Sequence, residues 1–240
     1  MTTFVDSYRF AAAGGGFDPI ADVGWTHAYW AEGTEFVALG YADTDAITSW
    51  PDEVGTENLA QSVASITYRA ASAINSQPAL LSGLSSARLT KTFASAITQP
   101  LTVVVIAEFD PAEGSFATLF DGPPGGSAIT IYDNNNSTMS MEAGAMVGGG
   151  AQDANPHIFV AYFNGASSTL VRDGTTQISG NAGTNSLQGL SLFVNKDGSN
   201  DTDISGPIAF VGLFSGDVTG DAGWADFESW AGTHYGLTIA

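Results

Sequence analysis

Glu108, Asp110 and Glu113 fall within one six-residue run, Glu-Phe-Asp-Pro-Ala-Glu. Carboxylates this close together point to glycoside hydrolysis, in which two acids stand about 5 Å apart on either side of a sugar. Here Pro111 removes a ladder N–H and Gly114 follows Glu113, so the strand ends and Glu113 falls in a turn. We read the run as a solvated hairpin end and reject Glu108, Asp110 and Glu113 as catalytic residues.

Oxygen ligands of the kind calcium takes crowd a second stretch, where Asp197, Ser199, Asp201 and Asp203 lie between two strands. The spacing is not that of an EF-hand, because Ile208 fills the closing acidic position. Asp133 with Asn134, Asn135 and Asn136 forms a similar cluster. Both read first as polar turns, and Ca2+ at Asp197, Asp201 and Asp203 is the alternative. The histidines His27, His157 and His234 give no triad, and no G-x-S-x-G occurs. Trp25, Tyr29 and Trp30 could stack on sugar rings; the same aromatics, with Trp50, also suit the core of a β-sandwich.

The elements that must hold these residues are mostly strands. Leu101–Asp110 is a near-continuous apolar run between Pro100 and Pro111, the pattern of a strand buried on both faces. Further strands are expected at 115–121, 127–133, 137–142, 157–164, 167–172, 175–179, 188–195 and 207–214, with a short one at 77–80. Asp173-Gly174 reads as a two-residue hairpin turn, since both positions favour positive φ. One helix is expected over about 221–231, where Trp224, Phe227 and Ala231 share a face. Residues 1–13 are an apolar arm carrying Phe4, Tyr8 and Phe10, and Gly14-Gly15-Gly16 makes a flexible joint to residues 17–240.

Composition narrows the partners. The 240 residues carry 6 Lys and Arg against 25 Asp and Glu, a net charge of −19. With so few cations no basic patch can form, which argues against nucleic acid, and an anionic membrane surface would repel the chain. There is no cysteine, so neither disulfides nor thiolate metal sites arise. The first residues show neither the basic region nor the apolar stretch of an export signal.

Several landmarks occur in a telling order: Trp50-Pro51-Asp52, the strand around Val103 to Phe109, Leu119-Phe120-Asp121-Gly122, and His157 to Phe163. Arg172-Asp173-Gly174, Gly206-Pro207-Ile208-Ala209 and Tyr235-Gly236-Leu237 complete the series. The chain thereby resembles the laminin-G-like branch of the concanavalin-A-like lectin/glucanase superfamily, from about Trp25 to Leu237. That resemblance implies an all-β, two-sheet antiparallel jelly-roll sandwich with one short C-terminal helix. The glucanases of glycoside hydrolase family sixteen share this superfold, and their E-x-D-x-x-E spacing would make Glu108 nucleophile, Asp110 assistant and Glu113 acid/base.

Similar domains with a short arm ahead of the jelly roll occur as tail and capsid appendages of bacteriophages. The resemblance therefore implies a non-enzymatic virion structural protein, a minor tail or decoration protein at the virion surface. Residues 1–16 would attach it to other virion proteins, and the sandwich, as a homo-oligomer, would meet host glycans. The alternatives are a glycan hydrolase using Glu108, Asp110 and Glu113, and a free carbohydrate-binding module.

Overall fold

The computed structural model describes residues 16–63, 66–82, 87–109, 117–133, 138–193 and 206–240. Along the chain come β1 (His27–Trp30), the one-turn helix α1 (Thr34–Val37), β2 (Ser49–Trp50) and β3 (Leu59–Val63). Next are β4 (Ile66–Arg69), β5 (Ala79–Ser82), β6 (Arg88–Ile97), β7 (Leu101–Glu108) and β8 (Thr118–Asp121). Then follow β9 (Thr130–Asp133), β10 (Thr138–Glu142), β11 (Met146–Ala151), β12 (Pro156–Phe163) and β13 (Ser168–Arg172). The last elements are β14 (Thr175–Gly180), β15 (Leu187–Leu192), β16 (Ile208–Ser215) and helix α2 (Trp224–Tyr235).

Among the described residues these strands make two antiparallel sheets of eight. The first runs β14-β13-β12-β7-β16-β5-β4, with β1 paired to β16; the second runs β11-β10-β9-β8-β15-β6-β3-β2. The all-β sandwich with one C-terminal helix is thus the architecture the sequence led us to expect. Between the sheets lies the main core. Leu101, Val103, Val105 and Ala107 of β7 face inward with Phe159, Ala161 and Phe163 of β12. They meet Leu119, Ile131, Met139, Met141, Leu190 and Leu192 from the second sheet.

The first sheet is apolar on its outer side as well. Val104, Ile106, Ile158, Val160 and Phe210 point away from the main core into a second cluster. Helix α2 covers them with Trp224, Phe227, Ala231 and Tyr235, residues spaced to fall on one helical face. This explains the near-continuous apolar run in β7: both of its faces are dry. Burying each such side chain stabilises the fold by roughly 1.5–3 kcal/mol. Trp25 lies over Gly212, where an added Cβ would stand 2.6 Å from the indole ring. The chain's path under α2 therefore requires glycine at that point.

Helix α2 starts and stops three to four residues later than expected from the sequence. Asp221 spends its carboxylate on the Gly223 N–H (2.8 Å), which holds the preceding turn out of the helix. Gly232 continues the helix, and Gly236 ends it in the left-handed region (φ 67). The hairpin at Asp173-Gly174 (φ 49 and 77) has the two positive angles anticipated from its dipeptide. β2, β3, β4, β6, β11 and the one-turn α1 were not anticipated.

Candidate functional site

The side chains that could act together collect where β1 begins and β6 bulges. His27 is the first residue of β1, two before Tyr29, so both point to the same side. Tyr29 enters the main core, whereas His27 reaches the rim of the sandwich and lies against Phe93, ring centroids 4.7 Å apart. Its Nδ1 bonds Asp52 Oδ2 at 2.7 Å. The Asp52 side chain is wholly enclosed and accepts three backbone N–H groups as well, from Ala28 and Val54 (3.2 Å each) and Glu57 (3.3 Å). Burial pushes the Asp52 carboxyl up, but the bonds from His27 and the backbone outweigh it and hold it below the ordinary carboxylate range. A fixed carboxylate on Nδ1 sets the imidazole's orientation and leaves Nε2 for other contacts.

The next side chain is Glu57. Its Oε1 accepts the Ala94 N–H (2.9 Å) and its Oε2 pairs with Lys91 Nζ (3.1 Å). Those two contacts keep its carboxyl below the ordinary range. The Glu57 carbonyl accepts the Tyr29 hydroxyl at 2.8 Å, which ties the loop to the core. Burial, and the nearby Asp52 and Glu57 charges, drive the Tyr29 phenol far above its usual pKa, so it stays a donor.

The bulge in β6 makes the facing wall. Leu187 pairs with Ile97 and Gly189 with Thr92, so two steps along β15 match five along β6. The surplus leaves Ala94, Ser95 and Ala96 exposed while Phe93 turns inward beneath His27. Gly189 permits the close approach, since a Cβ there would stand 2.1 Å from the Lys91 carbonyl oxygen. The result is a cleft of about 350 Å³ lined by Thr26, His27, Glu57, Ser95, Thr98 and Ser215, among others.

Beside Ala94, Ala96 and Ile97, the polar part of this lining is four hydroxyls, one imidazole and one ion-paired carboxylate, a set suited to hydrogen-bonding a hydroxyl-rich molecule. The loop beside the cleft is held by Glu53, which caps α1 by accepting the Glu35 and Phe36 N–H groups at 3.0 Å each. Burial raises the Glu53 carboxyl in that position.

Of the aromatics suggested for sugar stacking, Trp25, Tyr29 and Trp30 are 5%, 0% and 9% exposed. Their rings are packing: Trp25 and Trp30 lie under α2, and Tyr29 lies between the sheets. Trp30 Nε1 donates to the Tyr235 hydroxyl (2.9 Å) and Trp25 Nε1 to the Pro19 carbonyl (2.8 Å). The core reading is the one that fits these three, because a ring covered on both sides has no face to offer a sugar.

Glu108 is the last residue of β7, opposite Pro156, and its N–H donates to the Pro207 carbonyl. Asp110 and Glu113 lie outside the described residues, as do the calcium candidates Asp197, Asp201 and Asp203 and the arm residues Phe4, Tyr8 and Phe10. Asp133 accepts the Thr138 N–H at 3.1 Å, the job of a turn residue. His157 is clamped between Asp173 and Asp153. His234 bonds Glu32 (2.7 Å) and stacks on Trp230. Sequence reasoning singled out His27 and Trp50-Pro51-Asp52 separately, and it passed over Glu57, Lys91 and the β6 bulge.

No protein-family model matches this sequence, and no curated protein matches it. Solved structures do match in fold. A Trypanosoma rangeli sialidase in complex with the inhibitor DANA aligns with TM-score 0.59 and 10% identity, over 88% of this chain and 33% of the sialidase. The same organism's sialidase in complex with sialic acid aligns with TM-score 0.57 and 11% identity, over 85% and 32% of the two chains. The binding domain of botulinum neurotoxin serotype D aligns with TM-score 0.57 and 10% identity, over 83% of this chain and 50% of that one. The chain thus spans about a third of the sialidases' length, and what it shares with all three is the two-sheet β-sandwich.

Proposed function

We propose that this chain is a non-catalytic glycan-recognition sandwich, displayed on a bacteriophage particle and attached there by residues 1–16. The observation that carries the recognition role is the cleft at the start of β1, whose hydroxyls, oriented His27 and ion-paired Glu57 suit a neutral polyol. The fold shared with sialidase structures makes a carbohydrate the first ligand class to test. The virion setting rests on the sequence, on its apolar arm and glycine joint ahead of a sandwich.

A glycan array probed with the labelled protein tests recognition, with Thr98→Ala and Ser95→Ala as cleft variants. Binding weakened by both variants while melting temperature holds supports the reading; binding to no glycan overturns it. Any bound oligosaccharide is then incubated with the protein and its reducing ends are counted. Accumulating ends would replace recognition by hydrolysis. Mass spectrometry of purified particles tests the setting. Deleting residues 1–13 leaves the melting temperature unchanged and abolishes incorporation; assembly that survives the deletion would transfer attachment to the sandwich.

A further inference from the structure

We infer that the His27 cleft selects uncharged sugars, and that Glu57 is the specificity-determining residue that excludes acidic ones by holding Lys91. This rests on the glycan-recognition reading and adds the ligand's charge class and the residue responsible. An acidic sugar carries a carboxylate, and proteins bind a carboxylate with an Arg or Lys free to make charge-assisted hydrogen bonds. Among the described residues the cations are committed elsewhere, Arg88 donating to Ser62 at 3.1 Å. Arg69 faces Asp43 at 3.6 Å and Arg172 faces Asp153 at 3.4 Å, while Lys91, the cation beside the cleft, faces Glu57 at 3.1 Å. Glu57 lines the cleft, so an entering anion meets a carboxylate before it meets the lysine.

The surroundings reinforce this sign. Asp52 sits fully enclosed behind His27, adding a second fixed negative charge to the same wall. The whole chain, at −19, repels anions over the Debye length of about 8 Å at physiological salt. A neutral sugar feels none of this. Its hydroxyls both donate and accept, which matches the polar side of the lining, Thr26, Ser95, Thr98, Ser215 and the imidazole, while Ala94, Ala96 and Ile97 suit its C–H faces. Lys91 stands behind that lining, 3.1 Å from Glu57 Oε2.

The substitution Glu57→Gln separates these effects, because the amide oxygen still accepts the Ala94 N–H while the charge that holds Lys91 is gone. Wild type and variant are titrated with paired oligosaccharides that differ only in a terminal acidic or neutral sugar. The expected result is wild-type binding of the neutral member only, at an affinity unchanged between low and high salt. Glu57→Gln gains the acidic member by about tenfold or more, on the scale of one charge-assisted bond. Adding Lys91→Met to Glu57→Gln removes that gain, and near-ultraviolet circular dichroism confirms that each variant is folded. Wild-type preference for the acidic member overturns the inference but leaves glycan recognition standing. Neutral preference unmoved by Glu57→Gln removes Glu57 from the role. Binding of neither member by any form overturns both.

Discussion

Raising the pH should loosen the clamp around His157, and the structure gives the size. His157 Nδ1 faces Asp173 Oδ2 at 2.5 Å and Nε2 faces Asp153 Oδ1 at 2.8 Å, and two carboxylate acceptors favour the imidazolium, with a proton on each ring nitrogen. Burial lowers this imidazole's pKa, but the two carboxylates outweigh it and the net direction is up from 6.5. Arg172 is the other charge at the site, 3.4 Å from Asp153 Oδ2. A raised folded-state pKa means that the clamp contributes fully below the unfolded value and is lost as pH climbs through the folded one. The opposite sign holds for Asp153, whose depressed carboxyl contributes above its unfolded value and is lost in strong acid.

The Asp173 bond, between side chains 11% and 21% exposed, contributes about 1.5–3 kcal/mol. Asp153 is 42% exposed, so its share falls to about 0.2–1 kcal/mol, and desolvating the imidazolium offsets part of the sum. A net of about 1–3 kcal/mol remains. Urea unfolding of wild type and His157→Gln at several pH values from about 6 to about 9 isolates it, because the general repulsion of an acidic chain is common to both. The wild-type advantage should shrink by most of that amount across the series. A difference constant to within about 0.5 kcal/mol would refute the protonated clamp.

Two other perturbations test the packing. Phe227→Ala empties the centre of the second cluster, where Phe227 lies 5.2–5.4 Å from Trp25, Phe210, Trp224 and Trp230, and should cost about 3–5 kcal/mol in urea unfolding. A loss under about 1 kcal/mol would mean that α2 contributes little to global stability. Gly189→Ala places a methyl 2.1 Å from the Lys91 carbonyl and so must separate β15 from β6. Amide exchange should quicken at Thr90–Thr92 and Leu190–Leu192 relative to β7, and unchanged protection there would contradict the close pairing.

Legibility in the sequence followed the local pattern. β7 could be read because both faces are dry and Val103–Ala107 is an unbroken apolar run, and the hairpin at Asp173-Gly174 because its dipeptide favours the required angles. β6 could not: its buried residues Leu89, Phe93 and Ile97 recur every four positions, a spacing that suits a helix as well as a bulged strand. β11, with three consecutive glycines, has too few side chains to show alternation. The candidate site depends on tertiary placement. His27 and Asp52 are 25 residues apart and Lys91 is 34 beyond Glu57, and no local spacing rule joins such pairs. Trp25 and Trp30 looked like ligand platforms because the apolar outer face of the first sheet, which they cover, is a property of the assembled sandwich.

The distribution of tryptophans around α2 makes the protein a lopsided optical reporter. Trp25, Trp30, Trp224 and Trp230 all belong to the cluster outside the first sheet, and Trp50 alone sits between the sheets. Trp30 and Trp230 stand 5.5 Å apart and nearly perpendicular, and Trp230 lies flat against His234 at 5.1 Å. Intrinsic tryptophan emission therefore registers mainly whether the helix is seated, while far-ultraviolet dichroism registers mainly the strands. A fluorescence transition that precedes the dichroism transition on heating would record the helix lifting from a sandwich that is still closed, a two-step opening that either signal alone would merge into one.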